Sequence, residues 1–192
     1  MLKRLLKAFL WGFFLVLAWP SAAICGFGRS KTLYSLFAHF FALAPGIVGD
    51  YLRIAFYKLT LAGCSLSSRI QFGSFFAHPE ARLGARVYIG SYCILGTAMI
   101  GERTQIASGV QILSGRQQHV RDETGRISGS DEGIFNPVII GADCWIGAGA
   151  IVMADVGAGS TIGAGSVVTR PIPPGCVALG SPAKAIKAVG EA

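Results

Sequence analysis

The chain has 192 residues, 52% of them hydrophobic and 14% charged, with a net charge of +7, which allows one domain plus an appendage and is oily for a water-soluble protein. Residues 1–63 hold seven Lys and Arg against one Asp, or +6, while residues 64–192 hold ten against nine, or +1. The nearly neutral second part excludes the broad basic surface that nucleic-acid binding needs; the oily, basic first part points to an anionic membrane surface.

The chain opens with MLKRLLK, and Ala8 to Ile24 then carries no charge. A signal peptide has this basic start and apolar core, with Ser21-Ala22-Ala23 as a cleavage site. A membrane helix or re-entrant hairpin fits as well, although seventeen residues fall just short of the ~20 that span a bilayer, and Pro20 is placed to break the run. In TLYSLFAHFFALAPG, Thr32, Ser35 and His39 fall on one narrow polar stripe of a helix that Pro45-Gly46 ends. In GDYLRIAFYKLTLAG, residues 49–63, Asp50, Arg53 and Tyr57 share one helix face, and Leu52, Ala55, Phe56 and Leu59 the opposite one. Two amphipathic, basic and aromatic helices fit the membrane interface. A helical cap over the open end of the next domain is the alternative, and one helix can do both. His39 reads as a polar-face residue.

From Cys64 the period changes. Leu83, Ile89 and Leu95 are six apart, as are Ile100, Ile106 and Ile112, then Ile140, Ile146 and Val152, then Val156, Ile162 and Val168. Ile70 and Phe76 extend the series upstream less cleanly. Glycine follows at Gly141, Gly147, Gly157 and Gly163, and small residues recur at Cys144, Ala150, Ser160 and Ser166. Period six is three strand periods with a turn in each unit, as when a chain winds round a prism. The apolar residue fills the interior, the glycine tolerates the corner dihedrals, and the small residue packs where ~4–5 coils stack. The steps from Leu95 to Ile100 and from Val152 to Val156 are five and four, so two corners are trimmed. After Gly115 the period fails through RQQHVRDETGRISGSDEGIFNP and resumes at Val138; a polar loop thrown out of a regular coil is where function tends to sit. Five cysteines without pairing or metal-ligand spacing read as free thiols in a reducing compartment, and Cys93 and Cys144 take the inward position of inert, buried thiols.

NPVIIGADCWIGAGAIVMADVGAGSTIGAGSVV resembles the left-handed parallel β-helix of the hexapeptide-repeat acyltransferases, most of all the sugar and polysaccharide O-acetyltransferases. The resemblance implies an all-β left-handed β-helix over residues 64–192 behind an α-helical, membrane-associated region over residues 1–63. It also implies an acetyl-CoA donor, a glycan hydroxyl as acceptor and a homotrimer. A coenzyme A donor keeps the chain in the cytosol, so membrane anchoring at the cytoplasmic face of the bacterial inner membrane is favoured over secretion.

The same resemblance assigns the site. His119, in ILSGRQQH, matches the family's base on the acceptor hydroxyl; an alcohol attacks a thioester poorly until its proton is taken, and imidazole is mostly neutral at pH 7. Trp145 should point outward beside the loop and wall the pantetheine arm or the acceptor. Backbone groups of Ala148 and Ala164 would bond the pantetheine amides. Thr169, Arg170, Lys184 and Lys187, in VVTRPIPPGCVALGSPAKAIK, would line the donor, with the cations on its phosphates. The acceptor-holding Asn and Asp of small-sugar enzymes have no counterparts near Gly90 to Thr97. An amino-sugar acceptor and a non-catalytic membrane scaffold are the alternatives. His78 reads as a packing or corner residue. A zinc site of the β-helical carbonic anhydrase type needs a third His, which His39 in its oily helix cannot supply, so no metal is expected.

Overall fold

The computed structural model describes residues 2–115, 123–127 and 136–188, without the side chains of residues 2–5 and of Lys187. Three helices come first: α1 (Leu2–Ile24), α2 (Lys31–Ala42) and α3 (Gly46–Thr60). Five coils of short strands follow. The first holds β1 (Gly63–Cys64), β2 (Arg69–Ile70) and β3 (Phe75–Phe76). The second holds β4 (Arg82–Leu83), β5 (Tyr88–Ile89) and β6 (Ile94–Leu95), and the third β7 (Ala98–Ile100), β8 (Gln105–Ile106) and β9 (Gln111–Ile112). Past the long loop come β10 (Val138–Ile140), β11 (Trp145–Ile146) and β12 (Ile151–Val152), then Val156 with β13 (Thr161–Ile162) and β14 (Val167–Val168). Ile172 opens a last turn, closed by the antiparallel pair β15 (Cys176–Gly180) and β16 (Ala183–Ala188).

Equivalent strands pair in parallel from coil to coil and make three faces. Face A carries Cys64, Leu83, Ile100, Ile140, Val156 and Ile172 inward; face B Ile70, Ile89, Ile106, Ile146, Ile162 and Ala178; face C Phe76, Leu95, Ile112, Val152 and Val168. All are buried. This three-sided parallel solenoid is consistent with the left-handed β-helix, and the two short steps in the hexad are both C-to-A corners. Ile70 and Phe76 stand in full register, so the solenoid begins as soon as α3 ends.

The glycines after the inward residues have a different task from the one their position suggests. A Cβ on Gly141 would run into the backbone of Ala158 in the next coil, and one on Gly147 into Ala164. Close approach of coils excludes the side chain there. The left-handed dihedrals fall two residues later, at Asp143 (φ 58°) and Gly149 (φ 67°). The small polar residues that follow such left-handed positions staple coils: after Gly73, Ser74 Oγ donates to Gly90 O (2.6 Å) and accepts from Cys93 N (2.8 Å), and after Arg103, Thr104 Oγ1 does the same with Gly141 O and Cys144 N.

At the N-terminal end α2 and α3 cap the first coil. An interfacial helix would show Asp50, Arg53 and Tyr57 to water; here Arg53 and Tyr57 are fully buried. They serve the backbone of the first coil, which no earlier coil can bond: Arg53 Nε donates to Ile70 O on face B, and the tyrosines meet Phe76 on face C. Phe76 N donates to Tyr57 Oη (3.0 Å), and Tyr34 Oη donates to Phe76 O (3.1 Å). Pro20 does not break α1, which runs on to Ile24. His39 is exposed, its ring edge-on to Phe75.

Candidate functional site

Each coil turns from face C to face A at one edge of the prism, and the long loop leaves and re-enters there. Its root is pinned: Asn136 N donates to Ser114 O (3.1 Å), Thr97 N to the buried Ser114 Oγ (2.8 Å), and Val138 N to Thr97 O (2.9 Å). Gly115 takes φ +87° to let the chain out. A cleft of about 520 Å³ opens at this root, lined by Gly115, Asn136, Pro137, Met153, Asp155 and Pro171 among others. Asp155 Oδ1 there accepts from Ile139 N at 2.8 Å. His119 lies outside the described residues, four positions beyond Gly115.

Toward the C-terminus the same edge continues into a pocket of about 590 Å³ formed by Thr169, Arg170, Ser181, Pro182, Ala183 and Lys184. Three residues assigned to the donor thus meet in one place, because the β15–β16 hairpin folds back beside the fifth C–A corner. Arg170 and Lys184 are exposed and cationic, chemistry that suits phosphates. Lys187 is on β16 opposite Val177; its side chain lies outside what is described.

Toward the N-terminus the edge holds a pocket of about 290 Å³ lined by Lys31, His78, Glu80, Thr97, Met99 and Pro137. It shares Pro137 with the loop-root cleft and Glu80 with a shallow pocket at Phe27, Gly28 and Arg29. Burial holds the half-buried His78 imidazole below its ordinary value; Glu80 opposes this and Lys31 adds to it. His78 is a corner residue, as its sequence context says, but this is the corner on which the loop stands. Counting coils rather than hexads reveals it: residues 78, 97, 115, 154 and 170 fall on one edge.

Trp145, Ala148 and Ala164 are elsewhere. Trp145 points outward from face B and is 60% exposed, between Gln105 and Thr161. Ala148 and Ala164 are exposed at the B–C corner, in successive coils joined by Gly165 N donating to Ala148 O (2.8 Å). Face B lies opposite the C–A edge of a triangular prism. Trp145 is therefore not beside the loop of its own chain, since face A intervenes between the loop's return at Asn136 and β11.

The inward cysteines sit away from this edge. Cys93 and Cys144 are buried, and burial pushes both thiols up; the Cys64 thiol reaches about 12 for the same reason. Among the described residues no three His, Cys, Asp or Glu stand close enough to share a metal ion.

Residues 137–170 match the family model described as the hexapeptide repeat of succinyl-transferase. Nodulation protein L of Rhizobium meliloti (strain 1021) is 41% identical over 107 residues, 53% of this chain and 56% of its own. The chain spans from 24% to 58% of the length of the curated relatives it matches. Among solved structures, the maltose O-acetyltransferase of Clostridium difficile 630 superposes with a TM-score of 0.63 at 25% identity, over 86% of this chain and 89% of that one. A galactoside acetyltransferase in complex with coenzyme A shares the fold, with a TM-score of 0.64 at 23% identity over 84% and 82% of the two chains. By its repeat, its coil register and these likenesses, the chain is a hexapeptide-repeat protein and resembles the sugar acetyltransferases built on that repeat.

Proposed function

We propose that the protein moves an acetyl group from acetyl-CoA to a hydroxyl of a sugar in a polysaccharide or lipid-linked glycan precursor. The observation that carries this reading is the continuity of the C–A edge. A cationic pocket at Arg170 and Lys184 lies on one side of the loop root, and a mixed-charge pocket at Lys31, His78 and Glu80 on the other. The donor's phosphates meet Arg170, Lys184 and Lys187 beside Thr169, and its pantetheine amides meet the backbone of Ala148 and Ala164, with Trp145 as a wall. The acceptor's hydroxyls meet the other pocket, where charge of both signs replaces the Asn and Asp missing near Gly90 to Thr97.

The reaction occurs between them. Four residues past Gly115, the His119 Cα is at most ~14 Å from it, within reach of the cleft. Its neutral imidazole takes the hydroxyl proton as the oxygen attacks the thioester carbonyl. Backbone N–H groups hold the developing oxyanion. The C–S bond then breaks, and the departing thiolate takes the proton from the imidazolium.

The assigned donor residues occupy two edges of one prism, so a single chain does not gather them. A homotrimer with parallel axes sets the B–C edge of one chain against the C–A edge of the next, and each site then draws on two chains. Residues 1–63 hold this assembly at the cytoplasmic face of the bacterial inner membrane, where acetyl-CoA is available and lipid-linked precursors are in reach.

Purified full chain with acetyl-CoA and a lipid-linked glycan extract tests the reading. Thiol release should depend on the extract, and hydroxylamine should strip the acetyl from the product, as it does an ester. A hydroxylamine-stable product would move the acceptor to an amine, and no affinity for acetyl-CoA would make the protein a scaffold.

A further inference from the structure

Among the described residues, the outer face of α1 is apolar from Phe9 to Ile24, and apart from the Phe27 ring beside Trp19 it lies open. Phe9 is 75% exposed and Val16 71%, with Phe13, Trp19 and Ile24 between and beyond them at helical spacing. The opposite face is apolar too, but packed: Phe14, Ala18, Ala22 and Cys25 are buried, and Trp11 and Phe14 lie against Tyr51 of α3 at ring-centroid distances of 4.7 and 5.0 Å. Segment 6–24 is apolar enough to cross a bilayer, and α1, at ~1.5 Å per residue, is about 35 Å long. Length therefore permits a span, and packing decides against it. A spanning helix needs lipid or other membrane-embedded protein all round. Through Trp11 and Phe14 α1 is fixed to Tyr51 of α3, which carries Asp50 and the buried Arg53 and is joined through Arg53 to Ile70 of the first coil. To cross the bilayer α1 would have to drag these groups and the solenoid's end in with it.

We propose that α1 lies in the plane of an anionic lipid leaflet, its Phe9–Phe13–Val16–Trp19 face among the acyl chains, and does not cross the bilayer. This rests on the reading that residues 1–63 meet a membrane. Charge names lipid as the occupant. Residues 1–49 carry five Lys and Arg and no Asp or Glu, and the described cations Lys7, Arg29 and Lys31 are exposed. A one-sided apolar stripe flanked by cations is the pattern of an interfacial helix, and anionic headgroups complement it. Both ends of α1 then stay on the solenoid's side, and the Phe27–Arg29 turn brings the Glu80 end of the groove to the lipid surface.

The test adds full chain, with an N-terminal epitope before a protease site, to preformed vesicles of equal phosphatidylcholine and phosphatidylglycerol. The protein should float with the vesicles, float less at high salt, and lose its epitope to protease added outside. Phe9→Glu and Phe13→Glu should each lower partitioning by roughly tenfold or more with the melting temperature unchanged. An epitope protected until detergent is added means that α1 spans: the in-plane placement fails while membrane association stands. No flotation sinks both, and if the chain then sediments as a species that either Glu variant dissociates, a second copy covers the face. Flotation undiminished in both Glu variants overturns the choice of face.

Discussion

The Arg53 Nε donates to the carbonyl oxygen of Ile70 at 2.9 Å, from a side chain with no solvent exposure. The same guanidinium donates to Phe41 O, Ala42 O and Ala44 O and to Asp50 Oδ1 (2.7 Å). One residue thus ties the end of α2, the α2–α3 turn and the first coil together. Burial pulls its pKa below the ordinary value, and Asp50 pulls it back. Arg53→Ala leaves Asp50 and several carbonyls without their donor and should cost about 3–5 kcal/mol, read as the shift in chemical denaturation of the full chain in mild detergent. Phe40→Ala, at an exposed position, should change stability by no more than about 0.5 kcal/mol. Equal losses in the two would mean that the cap does not depend on Arg53.

Arg170 and Lys184 stand in one pocket. If they meet the donor's phosphates, Ala at either should raise the acetyl-CoA KM by about tenfold to a hundredfold, the ~1.5–3 kcal/mol of a charged hydrogen bond. The acceptor KM should hold. Unchanged donor KM in both variants would remove the donor from this end of the groove.

His78 carries a prediction on pH. Its folded pKa is depressed by burial, so the unfolded chain binds the proton more readily. The stability tied to neutral His78 is complete above the unfolded value near 6.5 and is lost as pH falls from there through the folded value. His78→Gln should flatten stability over that window, with little change above it. It should also raise the acceptor KM and leave the acetyl-CoA KM alone, as should Glu80→Gln. Variants that move only stability would leave His78 a corner residue and nothing more.

The hexads made the solenoid legible because interior positions of such a coil tolerate only apolar side chains, and Ile140, Ile146 and Val152 repeat that demand without interruption. The helices were less legible. Asp50, Arg53 and Tyr57 share a face in either arrangement, and polarity alone points that face to water; it turns inward because Phe76 and Ile70, far along the sequence, offer backbone groups with no preceding coil to bond them. Hexad counting treats every corner alike, so it set Trp145 beside the loop and hid His78. Only counting the three faces in turn around the prism separates face B from the C–A edge.

That separation gives the sharpest test of a shared site. His119→Ala alone should lower kcat by ~10²–10⁴ with acetyl-CoA binding kept. Ala148→Arg, which fills the exposed B–C corner, should block the donor and keep the fold. In a trimer whose sites each join one chain's loop edge to its neighbour's B–C edge, a mixture of the two inactive chains regains intact sites. A site works when its loop comes from an Ala148→Arg chain and its corner from a His119→Ala chain. Every mixed trimer, whether two-to-one either way, has one such site of its three, so about a third of wild-type activity should return in trimers that hold both variants. The measurement is acetyl transfer by the co-expressed pair, purified through a different tag on each variant, against each variant alone. If the site lies within one chain, every site carries one of the two defects, and activity stays at the level of the single variants however the chains are mixed. A mixed assembly of the right mass that stays inactive would therefore rule out the shared site and require that a single chain bring Ala148 to its own loop, across a prism whose face B stands opposite the edge from which that loop departs.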